Sequence, residues 1–468
     1  MLETFRDHLE QTGLIPPGLR VLVGYSGGAD STCLLHLMHC AGIDVVAAHL
    51  HHGMRPEADE ELEKCAAFCD SLGIPFVSGR SDVPKMAADL KIGLEEAGRE
   101  ARYTFFQQAA FQLECPLIAT AHTKSDHAET ILLNLARGTG MAGLAGIPAR
   151  RENIVRPLLF ATREETRAYC EAHDFWFHED PANSDISFSR ARIRHRVLPD
   201  LRAINPGVET ALDRLSSLVD EEDRFLNGMA AAALEQSEIH LNGPLRFLTL
   251  DCEAKFNRDQ LASLPPVLFR RAVRLSAQAL GGKLERGHFE EIEESIAAGG
   301  NGSVTVEGGD VVIEWKEDSI HVRQVRPTQT YRYALTVPGE TISDEFGWQF
   351  TAQETRNHTP QNRRDLCVQL PKSQIKGSLY FRSAQPGDQL RPLGFGGSRK
   401  LSDLFGEAKL TLAARARLPI LCDFVGPLWA PGVCLDNRMA NLGDEEIAIQ
   451  IQFGPVIGDP SHNKETCV

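Results

Sequence analysis

Residues 21–31 read VLVGYSGGADS, and a largely apolar run at 32–38 follows without a break. Val21, Leu22 and Val23 are apolar and β-preferring, as a buried strand requires. The next residues supply three glycines (Gly24, Gly27, Gly28) and Ser26 before a helical pattern opens at Ser31 and Thr32. That pattern continues through Cys33, Leu34, Leu35, Leu37 and Met38. A strand, a Gly-rich turn and a helix start leave backbone N–H groups free, and the helix dipole favours an anion there. The turn therefore reads as a phosphate cradle. It is not a Walker loop, because no lysine occurs between residues 21 and 40. The spacing of its glycines also differs from the dinucleotide fingerprint G-x-G-x-x-G.

Residues 26–31, SGGADS, resemble the SGGxDS loop of the N-type ATP pyrophosphatases, which cleave ATP to AMP and pyrophosphate. The chemistry suits these residues. Gly27 and Gly28 let the backbone approach a pyrophosphate, Ser26 and Ser31 add hydroxyls, and Asp30 can hold Mg2+ against the phosphates. The expected ATP site is thus Ser26, Gly27, Gly28, Ala29, Asp30 and Ser31. An ordinary βα turn is the bland alternative. The whole hexapeptide between an apolar strand and an apolar helix is much rarer by chance.

Composition bounds the rest. A chain of 468 residues suggests two to four domains. With 42% hydrophobic and 24% charged residues it has the make-up of an ordinary globular protein. No charged n-region with an apolar h-region opens it, and no apolar stretch reaches bilayer length, so the expectation is a cytoplasmic protein with no membrane partner. The 11 cysteines are scattered without a C-x-x-C pair, which reads as reduced thiols. A formal charge of −15 argues against nonspecific nucleic-acid binding. Two local basic clusters stand out nonetheless: Arg190, Arg192, Arg194, Arg196 and Arg202, and later Arg382, Arg391, Arg399, Lys400, Lys409, Arg415 and Arg417. Such runs are usually solvated faces, with partner binding as the sharper reading.

Along the first ~200 residues short apolar runs alternate with helical patterns, as in a parallel α/β sheet. Strands are expected at 45–50, from 75 and at 117–121, and helices at 57–72, 95–112 and 125–136. The polar residues sit at the strand ends, where open α/β sheets bind ligands. Asn205-Pro206-Gly207 marks a boundary. Long amphipathic helices are expected at 208–234 and 266–298, then a hairpin around Gly308-Gly309, an irregular strand-leaning stretch at 327–369, and a last small α/β unit at 377–453.

Further constellations surround the loop. Arg99 and Arg102 lie three apart on one helix face, beside Glu95, Glu96 and Tyr103; a surface helix with salt bridges and a phosphate-facing pair of cations are both open readings. Asp126 and Glu129, three apart at the start of the helix after the fourth strand, can hold a cation. A Gly-rich loop, 137–146, follows. The histidines His49, His51 and His52 lack acidic or thiol partners at ligand spacing, which speaks against zinc.

Taken together, SGGADS, HHGMR at 51–55, EEAGREARY at 95–103, HTKSDHAETILLNLARGTG at 122–140, RPLL at 156–159 and EDPANSDISFSRARIRHRVLP at 179–199 resemble the tRNA(Ile)-lysidine synthetase family. RSAQPGDQLRPLGFGGSRKLSDLF at 382–405 and RARLP at 415–419 are similar to that family's C-terminal domain. The resemblance spans nearly the full length. It implies an N-terminal doubly wound parallel α/β sheet (PP-loop, Rossmann-like), a helical middle domain and a small C-terminal α/β domain. The expected divisions are 1–205 (catalytic), 206–326 (mainly helical, substrate-binding), 327–376 (linker with strands) and 377–468 (tRNA-binding).

The resemblance also implies a two-step reaction. ATP adenylates the C2 oxygen of the wobble cytidine in a tRNA(Ile) with a CAU anticodon, and L-lysine then displaces AMP to leave lysidine. Asp30 would be a catalytic magnesium ligand, Arg102 would lie near the reacting centre, and Asp126 with Glu129 would bind the lysine ammonium. Arg190, Arg192, Arg194 and Arg196 would meet the anticodon arm, and Arg391, Arg399, Lys400, Arg415 and Arg417 the acceptor stem. A homodimer is carried as an expected state. Two departures from the family motif are visible: Ser125 stands for an aspartate and His127 for a glutamine. A third lies at 426–432, only loosely similar to the family. The rival readings are a tRNA thiolase of the same superfamily, an amide-forming synthetase, and a nucleotide-binding regulator without turnover. The absence of a C-x-x-C pair and of any glutaminase-like nucleophile disfavours the first two.

Overall fold

The computed structural model describes residues 1–51, 58–179, 189–306, 310–325, 329–356, 362, 364–440 and 447–456. The chain divides into two units, Met1–Arg224 and Phe225–Val468.

In the first unit, helix α1 (Leu2–Thr12) leads into β1 (Arg20–Gly24), whose residues alternate between two cores. Val21 and Val23 pack with Phe5, Leu34 and Leu37 on one face, while Leu22 packs with Val46, Phe106 and Ile118 on the other. A strand apolar on both faces belongs inside a parallel sheet covered by helices. The order of elements continues α2 (Ala29–Cys40), β2 (Asp44–His51), α3 (Ala58–Leu72), β3 (Phe76–Arg80), α4 (Val83–Leu90), α5 (Leu94–Gln112) and β4 (Leu117–Ala119). Then come α6 (Lys124–Ala136), α7 (Met141–Leu144), β5 (Arg150–Arg151), β6 (Ile154–Val155) and α8 (Arg163–Ala172). The sheet order is β3-β2-β1-β4-β6-β5, parallel except for β5.

Strand order reverses between β1 and β4, which are neighbours (Val23 opposite Ala119) although β2 and β3 intervene in sequence. At such a switch point the two strands' following loops part and leave a crevice. The loop after β1 carries the glycines and the segment after β4 carries Asp126. Strand β4 stops two residues before the expected end, although the Thr120 N–H still donates to the Val155 carbonyl of β6 at 2.9 Å.

After the undescribed residues come α9 (Ser189–Arg192), one wide turn of the π type (Ile193–Val197), α10 (Leu198–Ile204) and α11 (Val208–Ser237). The Leu198 N–H reaches back five residues, to the carbonyl of Ile193, and Pro199, with no N–H to donate, follows in the first turn of α10, where a proline is tolerated.

In the second unit, helices Pro266–Ala279 and Arg286–Ala297 cover a four-stranded antiparallel sheet of Glu253–Asn257, Ser319–Gln324, Val311–Trp315 and Gly302–Val306. The single helix expected at 266–298 is thus two, parted at Gly281, whose φ is +83°. The turn at Gly308-Gly309 lies outside the described residues, as does most of HHGMR.

The stretch expected as a linker is core. Trp348–Thr355 and Cys367–Pro371 both pair with Ala448–Pro455, far along the chain. Trp348, Phe350, Phe381, Trp429 and Phe453 join that sheet to a second antiparallel sheet, with Phe350 and Phe381 stacked at 3.6 Å between centroids. One cluster of buried aromatic and aliphatic side chains thus joins the described residues of 329–376 to those of 377–456. No helix among the described residues is long and apolar enough to cross a membrane.

Candidate active site

The Gly-rich turn is held open by its own serines. Ser31 Oγ lies 3.1 Å from Ser26 Oγ, accepts from the Ser26 N–H at 3.2 Å and donates to the Gly28 carbonyl at 3.0 Å. Gly27 has φ +78°, and a Cβ there would come within 2.8 Å of Cys65 Sγ. Only glycine fits. No side chain caps α2, whose N-cap is Gly28, so its first N–H groups remain available to an anion. Residues 26–31 thus form an open turn that leads into uncapped N–H groups at the start of α2.

Asp30, in the first turn of α2, does not face open water. Thr166 donates its hydroxyl to Asp30 Oδ1, and Arg163 Nε stands 3.7 Å from Oδ2. Burial raises its pKa to about 6; Thr166 and Arg163 pull it down, and nearby Asp126 pushes it up. A carboxylate short of positive charge beside a phosphate cradle fits Mg2+. The ion takes one or two carboxylates and fills its shell with phosphate oxygens and water. Among the described residues no group of three or more His, Cys, Asp or Glu could hold a metal, so the substrate's phosphates would supply the remaining ligands.

Helix α8 is what the sequence reading missed. Arg163, Thr166 and Cys170, at i, i+3 and i+7, form one face turned to the start of α2. Cys170 Sγ donates to the Ala29 carbonyl at 3.3 Å. The signal was in the sequence: Thr162 and Glu165 form a capping box that fixes the helix start and puts Arg163 in its first turn. Ser125 explains itself here, since its hydroxyl accepts the Arg163 backbone N–H at 3.2 Å.

Asp126 and Glu129 are adjacent, as their spacing requires, and three guanidiniums converge on them. Arg163 Nη2 is 2.6 Å from Asp126 Oδ1, and its Nη1 is 2.8 Å from Glu129 Oε1. Arg190 Nε donates to Glu129 Oε2 at 3.1 Å, and Arg194 grips Glu129 with Nε at 2.7 Å and Nη2 at 3.1 Å. Glu129 is fully buried (0% exposed). Burial alone would raise its pKa, yet Arg194 and Arg163 outweigh that and hold it low. Asp126 is held low in the same way by Arg163 and Arg190 against its burial.

Arg190 and Arg194, expected at the anticodon arm, turn inward to the buried carboxylates. Arg192 and Arg196 are exposed, as are Arg391 and Lys400. Arg399 pairs with Glu407 at 2.5 Å, and Arg415 Nε donates to the Leu410 carbonyl at 3.0 Å. Arg417 is a correction. It is buried, donates to the Leu248 carbonyl at 2.8 Å and pairs with Asp251, so it holds the second unit together. Arg102 lies exposed on α5 with no hydrogen bond or ion pair to a described residue. Surrounding protein and Arg99 lower its pKa, against an opposing pull from Tyr103. His49 is a structural tie, its Nδ1 being 2.9 Å from the Tyr25 carbonyl oxygen.

The fold and this site define a class. Residues 2–201 match the PP-loop domain family, and residues 378–451 match the TilS substrate C-terminal domain. The first unit is thus an ATP-using PP-loop domain. The chain is 30% identical over 467 residues to the tRNA(Ile)-lysidine synthase of Symbiobacterium thermophilum, covering 94% of each. It is 31% identical to that of Solibacter usitatus (88% of this chain, 93% of the relative) and 29% identical to that of Clostridium tetani (94% and 95%). The chain belongs to the tRNA(Ile)-lysidine synthase family, a family of ATP-dependent ligases that modify tRNA.

Proposed function

We propose that this enzyme joins L-lysine to C2 of the wobble cytidine in tRNA(Ile) with a CAU anticodon, through an adenylated tRNA. The observation that carries the reading is Arg163, which touches Asp30 of the phosphate cradle and both Asp126 and Glu129. One guanidinium thus links the carboxylate that faces ATP to the pair that suits an ammonium. Two substrates bound at those places would lie side by side, as sequential transfer at one carbon requires.

In the first step the cytidine O2 attacks the α-phosphate and pyrophosphate leaves. The free N–H groups at the start of α2, with Ser26, Gly27, Gly28, Ala29 and Ser31 around them, hold the departing charge. Mg2+ held by Asp30 would neutralise charge on the phosphates. In the second step a neutral amine of lysine attacks C2, and AMP leaves with the oxygen. Asp126 and Glu129 hold the lysine by its ammonium, and Arg102, a cation open on one side, meets the phosphate or the nucleotide. Arg192, Arg196, Arg391 and Lys400 supply phosphate contacts to the tRNA. The test is transfer of labelled lysine to tRNA(Ile) transcripts bearing cytidine or uridine at the wobble position. Lysine should enter only the cytidine transcript, with one pyrophosphate released per lysine; pyrophosphate release without lysine transfer would point to a different acceptor.

A further inference from the structure

Glu129 has no acceptor position left. Its Oε1 takes Arg163 Nη1 and Arg194 Nε, and its Oε2 takes Arg190 Nε and Arg194 Nη2. A carboxylate offers about four lone-pair sites, and all are used. Asp126 is nearly as full: Oδ2 accepts the Thr123 N–H and hydroxyl at 2.9 Å each, and Oδ1 accepts Arg163 at 2.6 Å. An ammonium cannot simply be added to this site. It would meet a saturated carboxylate and three cations.

We infer that Arg190 and Arg194 are resident counter-cations of the amine site, that the substrate ammonium enters by exchanging with them, and that tRNA phosphates draw them off. The inference rests on the lysine-site reading of Asp126 and Glu129. Charge allows the exchange. Counting Asp30, which Arg163 also reaches, three guanidiniums face three carboxylates in the closed arrangement, and Arg163 with one ammonium still balances Asp126 and Glu129. Arg163 is the one that stays, because Ser125 fixes its backbone and it alone also reaches Asp30. Arg190 and Arg194 lie on a different kind of element, α9 and the wide turn beyond it. Turns of this type are frequent at functional sites. The same short segment shows Arg192 and Arg196 to solvent, so a phosphate backbone approaching them would compete for Arg190 and Arg194 as well.

A ligand shifts such an equilibrium only by its preference for one state. Here tRNA would favour the released state, lysine would bind that state, and the coupling would be reciprocal. The device would keep lysine out until its acceptor is docked.

The test uses the full chain without ATP, with L-lysine binding followed by calorimetry in the presence and absence of unmodified tRNA(Ile) transcript. For the natural protein, tRNA should tighten lysine binding about ten-fold, the worth of one charge-assisted hydrogen bond. In the double variant Arg190→Gln/Arg194→Gln, lysine should bind about ten-fold tighter without tRNA, and most of the tRNA effect should vanish. A double variant that binds lysine no tighter, or that keeps the full tRNA effect, overturns the exchange. Glu129→Gln separates the two readings: unchanged lysine binding in that variant refutes the lysine site itself. Should the double variant not fold, amide hydrogen exchange decides on the natural protein. Protection at 189–204 should fall when L-lysine is added, and unchanged protection under saturating lysine refutes the exchange.

Discussion

The Thr166 hydroxyl donates to the Asp30 carboxylate, binding the first turn of α8 to the first turn of α2 across 136 residues of sequence. Without that bond Asp30 would be harder still to ionise, because burial has already moved its pKa to about 6.

The sign of the linkage follows. A carboxyl group whose folded pKa lies above its free value of 3.8 favours the folded state while protonated. That contribution is complete below about 3.8 and is lost as pH rises through about 6. Asp30→Asn should therefore stabilise the protein at pH 8 by up to about 3 kcal/mol, two pKa units' worth. The gain should shrink towards zero near pH 4. Urea unfolding at the two pH values checks it, and the same variant should release no pyrophosphate.

His127 stands where the family motif has glutamine, and the structure shows its work. Its Nδ1 accepts the Ile147 N–H at 3.0 Å, so its Nε2 carries the proton and donates to Ser216 Oγ at 2.7 Å. Gly146, at φ +68°, leaves room for the ring; a Cβ there would come within 2.5 Å of it. Gly146→Ala should cost about 2 kcal/mol or more, through overpacking and an unfavourable φ. Burial depresses the His127 pKa. Its neutral form thus stabilises the fold above about pH 6.5, and that contribution is lost as pH falls through the lower folded value. Thermal unfolding of His127→Gln should show a deficit at pH 7.5 that narrows at pH 5.

Truncation separates the units. Removing 377–468 takes away Ala448–Pro455, the strand to which Trp348–Thr355 and Cys367–Pro371 are bonded, and should yield an aggregating protein. Ending the chain at Ser237 instead removes that whole core. This shorter protein should keep the ATP cradle, bind tRNA more weakly and show a flatter salt dependence, since fewer phosphates are neutralised. Filter binding across a salt series measures both.

Much of the catalytic unit was legible because its signals are local. The apolar run at 21–23, the glycines of 24–28 and the pair Asp126/Glu129 each lie within one turn or one strand, and the parallel sheet follows from their repetition. What was not legible depended on partners distant in sequence. Nothing near Arg190 or Arg194 says that a buried Glu129 lies 61 and 65 residues away. Arg417 reads as basic surface until Asp251 and the Leu248 carbonyl are beside it. The strands at 348–355 and 367–371 look irregular alone, because their common partner is Ala448–Pro455. Arg163 falls between: its helix start was written in the capping box, its three carboxylate partners were not.

The most direct measurement compares pyrophosphate release and lysine transfer, with tRNA(Ile) present, in Asp30→Ala and Glu129→Gln. Asp30→Ala should lose both and still bind tRNA. Glu129→Gln should retain tRNA-dependent pyrophosphate release while needing about ten- to hundred-fold more lysine for transfer, as for one lost charge-assisted hydrogen bond. Equal loss of both steps in Glu129→Gln, or a lysine requirement unchanged from the natural protein, contradicts the division of the site into an ATP half and a lysine half.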